Sequence, residues 1–115
     1  MINYEKEYEI VAKNGELLGE QSPAVMRKFK GIAGEVLKDN KLSLKTKELV
    51  AVGIAISVRC DACILSHVRN AINAGVTMEE LAETVEVAIL MGGGPSTAYG
   101  AKALSIAEHL FNEKK

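Results

Sequence analysis

Both cysteines of the chain fall in one short stretch, Arg59-Cys60-Asp61-Ala62-Cys63-Ile64-Leu65-Ser66-His67, with one of its two histidines. Cysteines at i and i+3 of a helix lie near the Cα separation a disulfide tolerates, roughly 4.4–6.8 Å, so Cys60 and Cys63 can bond reversibly. At about 100° per residue, Cys60, Cys63 and His67 share an arc of about 60° on a helix surface. A helix N-terminus carries about half a positive charge and free N–H groups, which favour thiolate over thiol. Arg59 adds a cation beside it, and Asp61 works against it. His67, one turn beyond Cys63, can take up or return a proton near neutral pH, as thiol attack on a peroxide or a disulfide requires.

Helices must position these groups. Tyr4, Tyr8, Val11 and Leu18 share one helical face over residues 4–18, interrupted by Gly15. Ser22-Pro23 supplies an N-cap and a first-turn proline, and Val25, Met26, Phe29, Ile32, Ala33, Val36 and Leu37 recur at helical spacing up to the polar Asp39-Asn40-Lys41. Ser43 caps a third helix that runs through Glu48 and the apolar residues 49–58. There Val50, Val52, Ile54, Ile56 and Val58 alternate as a half-buried strand would, and a strand entering a C-x-x-C and a helix is the thioredoxin arrangement. A strand needs partners, and no other segment reads as one; a helix apolar on all sides, buried within a bundle, needs none.

A fourth helix runs from Cys60 or Asp61 to about Ala74, with Ile64, Val68, Ala71 and Ile72 inward and Gly75 as its stop. Thr77 with Glu80 forms a capping box that opens a fifth, with Leu81, Ala82, Val85, Ala88 and Ile89 inward. Gly92-Gly93-Gly94-Pro95 breaks it, and a last helix runs from Ser96 to about Phe111. The triple glycine reads as a tight turn, since a phosphate cradle would want a Lys-Ser/Thr after it. The expectation is one all-α domain spanning residues 1–115, a bundle of about six helices with the C-x-x-C at a helix N-terminus.

This organisation can bring Glu48 to His67. If residues 44–57 and 61–74 form an antiparallel pair, Glu48 lies about 13 Å down one helix and His67 about 10 Å down the other, at ~1.5 Å per residue. A carboxylate beside an imidazole at that depth would fix its tautomer and support its charged form.

Composition narrows the partners. The formal charge is −1 over 115 residues with acids and bases interspersed, which marks no nucleic-acid surface and no polybasic membrane anchor. The N-terminal residues lack the basic start and apolar run of a signal peptide, and no apolar run is long enough to span a bilayer, so a cytoplasmic setting is expected. Between Val87 and Ala101 there is no charged residue, and the last helix carries Ala98, Gly100, Ala101 and Ala103; a subunit interface is expected here.

Other uses of these residues exist. Cysteine is often a small buried hydrophobe. Cys60, Cys63, His67 and Glu48 are the right types and number for zinc, although zinc sites usually draw a second ligand pair from a separate segment. Covalent haem would require histidine directly after the second cysteine, where Ile64 stands. His109 is expected at the surface or an interface, and Glu48 taken alone is an ordinary first-turn acid.

The pattern Glu48-x11-Cys60-x-x-Cys63-x-x-x-His67 resembles the signature of the alkyl hydroperoxidase D branch of the carboxymuconolactone decarboxylase family. The resemblance extends over roughly Ser22 to Leu110 and includes Lys47-Glu48-Leu49, Gly75-Val76-Thr77 with Glu79-Glu80, and the glycine-rich break before the last helix. It implies an all-helical subunit in a homo-oligomer, often a trimer or hexamer, with no bound cofactor. It also implies peroxidase or disulfide-reductase activity toward a hydroperoxide or disulfide, sustained by a dithiol reductant or redox partner protein. By the same resemblance Cys63 is the attacking thiol, Cys60 the proton donor and resolving partner, and Glu48 with His67 the proton relay. The competing functions are a decarboxylase-type enzyme acting on a small lactone, a branch that does not depend on a C-x-x-C, and a non-enzymatic helical oligomer with a Cys/His zinc site.

Overall fold

The computed structural model describes residues 2–114. Among them the backbone forms six helices and no strand: α1 (Tyr4–Gln21), α2 (Pro23–Val36), α3 (Leu44–Ser57), α4 (Asp61–Asn73), α5 (Met78–Gly92) and α6 (Gly94–Glu113). The all-α expectation therefore holds, and the alternating apolar run of residues 50–58 is helical. The chain divides into two compact units, Met1–Asp39 with α1 and α2, and Asn40–Lys115 with α3 to α6.

In the first unit α1 packs against α2. Asn3 starts α1 by accepting the Lys6 N–H at 3.0 Å. Ser22 stands at the N-cap of α2 with Pro23 behind it but makes no side-chain cap bond, so proline's preset φ marks that start. The α2 apolar face read from the sequence stays open: Val25, Phe29, Ile32 and Val36 are all exposed.

In the second unit, α3 packs against α4, α5 and α6, and α6 against α4 and α5. Val52, Ile56, Ile64, Leu65, Val68, Leu81 and Ile106 are fully buried there and form the core. The expectation that α3 is buried on all sides holds only in part. Val52, Ala55 and Ile56 face the core, while Val50 and Ile54 are exposed along an open apolar groove between α3 and α5, lined also by Leu49, Val87 and Met91.

The α5–α6 contact depends on small residues. A Cβ on Gly100 would collide with the Val85 side chain, and one on Gly92 with Ser96 Oγ. Gly100, Ala103 and Ser96 are buried. Part of the small-residue stripe expected at a subunit interface is thus used inside the unit, to let α6 close on α5. Val87, Leu90 and Met91 from the same uncharged run do face outward.

Helix ends follow local chemistry. Ser43 Oγ accepts the Thr46 N–H at 3.1 Å. At α5, Thr77 Oγ1 accepts the Glu80 N–H at 3.1 Å and Glu80 Oε1 accepts the Thr77 N–H at 2.9 Å, the reciprocal pair of a capping box. Glu80 also meets Lys45 at 3.0 Å, tying the starts of α3 and α5. The Thr77 backbone N–H, and after it Lys45, hold the Glu80 carboxyl below its ordinary value.

Thr77→Ala should lower stability by about 1 kcal/mol in chemical denaturation. A depressed carboxyl contributes stability above its unfolded pKa and loses it as pH falls through the folded one. Glu80→Gln should therefore be less stable than the wild type near neutral pH, with the difference closing in acid.

Candidate active site

The turn between α3 and α4 builds the site. Beyond Ser57 the Arg59 N–H bonds Ile56 O at 3.2 Å and the Cys60 N–H bonds Ala55 O at 3.1 Å, the paired bonds of a Schellman stop. The same pair closes α4, where Gly75 and Val76 bond Ile72 and Ala71. Gly75 has φ 96, as glycine readily does, but at the α3 stop the left-handed position is held by Arg59, φ 58. A non-glycine residue there costs about 1–2 kcal/mol. The turn has no slack: Cys60 ends one helix and caps the next.

As N-cap of α4, Cys60 offers its sulfur to the Cys63 N–H at 3.2 Å. The two cysteines are joined as a disulfide, with Cα atoms 5.2 Å apart. Both residues are partly exposed, between exposed Arg59, Asp61 and Ala62 on the outer side and buried Ile64 and Leu65 on the inner. After reduction, the amide that now points at Cys60 Sγ would stabilise a thiolate on that atom.

His67 lies one turn after Cys63 on α4, and its Nδ1 is 2.7 Å from Glu48 Oε1 on α3. The Glu48 side chain is only 3% exposed against 29% for His67. The buried carboxylate accepts the Nδ1–H, so neutral His67 presents Nε2 as its open, basic nitrogen. The structure thus brings Glu48 to His67 at matched depth on adjacent helices, and Cys60 to Cys63. His109 sits half-exposed on α6 and pairs with Glu113 at 3.4 Å.

One neighbour was missed in the sequence. Lys102 of α6 reaches Asp61 Oδ1 at 3.2 Å. The available signal was slight: Lys102 is the first charge after the uncharged run of residues 87–101. As candidate metal ligands, the two sulfurs are bonded to each other and offer no thiolate in this state, while the Glu48 contact at Nδ1 leaves His67 Nε2 open, as it would in a metal-binding histidine.

The carboxymuconolactone decarboxylase family model matches residues 23–105. The chain belongs to this family. A carboxymuconolactone decarboxylase family protein from Legionella pneumophila, solved in its apo form, superposes with a TM-score of 0.81 at 34% identity, over 90% of this chain and 96% of that one. An uncharacterised protein of Cupriavidus necator is 40% identical over 93 residues, which is 81% of this chain and 82% of the relative. A family protein of Thermotoga maritima, suggested to take part in an antioxidative response, shares the fold with a TM-score of 0.83 at 23% identity, over 94% of this chain and 92% of that one. Within this family frame, the matched region takes in α2 to α5 and about half of α6, with Glu48, both cysteines and His67 inside it.

In long-range nitrogen–proton NMR spectra, neutral His67 should show the Nδ1–H tautomer; Glu48→Gln, whose amide can also donate, should produce a mixture. An unchanged tautomer would remove Glu48 as its orienter. Arg59→Gly should leave stability unchanged or raise it by up to about 1 kcal/mol in denaturant unfolding, because glycine adopts the left-handed position without strain but is freer when unfolded.

Proposed function

We propose that the protein is a thiol-dependent peroxidase or disulfide oxidoreductase that cycles between a Cys60/Cys63 dithiol and the Cys60–Cys63 disulfide. The observation that carries this reading is the joined pair of sulfurs at the N-terminus of α4, on the same helix as an imidazole held by a buried carboxylate. Reduction of a hydroperoxide would also fit an antioxidative response, the role suggested for the Thermotoga maritima protein.

Cys63 is the attacking thiol. Its proton passes to His67 Nε2, and the thiolate attacks the terminal oxygen of a hydroperoxide. The O–O bond breaks, Cys63 becomes a sulfenic acid, and the alkoxide leaves as an alcohol with the proton from the imidazolium. Glu48 holds the imidazole in place and supports its charge while it carries that proton. Cys60, as thiolate at the helix cap, then attacks the Cys63 sulfur; hydroxide departs and takes up the proton Cys60 had released, giving water. One hydroperoxide and one dithiol become one alcohol, one water and one disulfide. With a partner's disulfide as oxidant, the same thiolate forms a mixed disulfide that Cys60 resolves. A dithiol reductant or redox partner restores the starting state by two exchanges.

The reading includes a homo-oligomer, a trimer or hexamer, in a cytoplasmic setting. Supporting assembly are the exposed apolar residues of α2 and the outward Val87, Leu90 and Met91. Among the described residues no helix is long and apolar enough to cross a membrane.

Free thiols counted before and after peroxide, alongside peroxidase and disulfide-reductase assays on a panel of peroxides and dithiols, test the proposal. Cys63→Ser should reduce turnover to background, and Cys60→Ser should leave a sulfenic acid that dimedone traps on Cys63. His67→Ala should slow the attack about a hundredfold. Thiol counts unmoved by peroxide would sink the redox reading, and a metal copurifying in fixed ratio with the reduced protein would favour zinc.

A further inference from the structure

The N-terminus of α4 holds a contradiction that the redox reading leaves open. The helix dipole and the cap amide favour a thiolate, yet the first-turn acid Asp61 directly follows Cys60, and a carboxylate there disfavours a second negative charge. The charged and titratable groups around this end come from each packed element. Arg59 stands on the turn, Asp61 and His67 on α4, Glu48 on α3 bonded to His67, and Lys102 on α6. Glu48 is matched by His67; Asp61 is matched from across the bundle.

We infer that Lys102, whose ammonium lies 3.2 Å from Asp61 Oδ1, is a positioning residue for the redox step: it cancels the acidic charge beside Cys60 and so keeps the reduced dithiol nucleophilic near neutral pH. The Lys102 side chain is 28% exposed and the Asp61 side chain 59% exposed. As a stability device such a surface pair is worth little. As an electrostatic device it needs only to sit near the sulfurs, because a charge acts on a neighbouring thiolate whether or not it adds to folding. Asp61 also favours the start of α4 through the helix dipole, so the pair lets the helix keep its N-terminal acid without suppressing the cysteine beside it. The inference deepens the thiol-redox reading and rests on it for its biological meaning, although its test reads the thiols alone.

The fully reduced full-length protein is alkylated with iodoacetamide across about pH 5 to about pH 10, and the rate at each cysteine is followed by mass spectrometry. Lys102→Met should move the lower inflection upward by about half a pH unit, and Asp61→Asn should move it downward by a similar amount. The double variant should fall near the wild type, Lys102→Arg should behave as the wild type, and about 1 M salt should shrink the single-variant shifts. An inflection unmoved by Lys102→Met, or one that both single variants move the same way, overturns the inference, since a packing role would not give opposite, cancelling shifts. Peroxide-driven thiol loss in the wild type is recorded in parallel. Its failure would strike the peroxidase reading alone, and a wild-type inflection that Lys102→Met leaves in place would strike Lys102 alone.

Discussion

A carboxylate inside a helical core must have a partner, and the second unit depends on how this one finds it. Glu48 is 2% exposed and His67 is the group that meets it, at 2.7 Å. His67 keeps 29% of its side chain exposed, so the cost falls on one side: without the imidazole the buried carboxylate would be left unpaired, at about 1–3 kcal/mol. The contact consequently constrains the register of α3 against α4: a slide by one helical position would strand the carboxylate in apolar surroundings. Among the described residues, no buried side-chain nitrogen or oxygen lacks a partner.

From that register the rest follows in physical order. Val52, Ile56, Ile64 and Val68 become the shared core of the two helices, and the short turn between them is forced into a tight stop with Arg59 left-handed. The turn delivers Cys60 to the N-cap of α4, where the backbone supplies a donor to its sulfur. Packing and chemistry are here one arrangement. The bond that joins α3 to α4 beside their apolar core also fixes the imidazole, and the turn that closes α3 also presents the cysteines.

Most of the helix boundaries were legible because they are set within a few residues. Ser43, Thr77 with Glu80, and Gly75 act through bonds spanning three or four positions, and each does what its local pattern predicts. Ser22 is the exception, being a suitable cap residue that makes no side-chain cap bond. The stripe of Ala98, Gly100 and Ala103 was legible as close packing but not as close packing against what. Gly100 meets Val85 of the same chain, and nothing in a run of small residues distinguishes a neighbouring helix from a neighbouring subunit.

The sequence by itself determined the helices, most of their caps and the pairing of Cys60 with Cys63, because these depend on spacings of three or four residues at or next to one helix end. It also bounded the Glu48–His67 contact through the shortness of the turn between their helices. Tertiary structure alone decided that Glu48 is buried, that α3 leaves one apolar side open toward an α5 groove, and that Lys102 sits against Asp61 from 41 positions away. The physical reason is that burial and long-range charge pairing depend on which helices pack together, and amphipathic periodicity states that a face needs cover without stating which helix covers it.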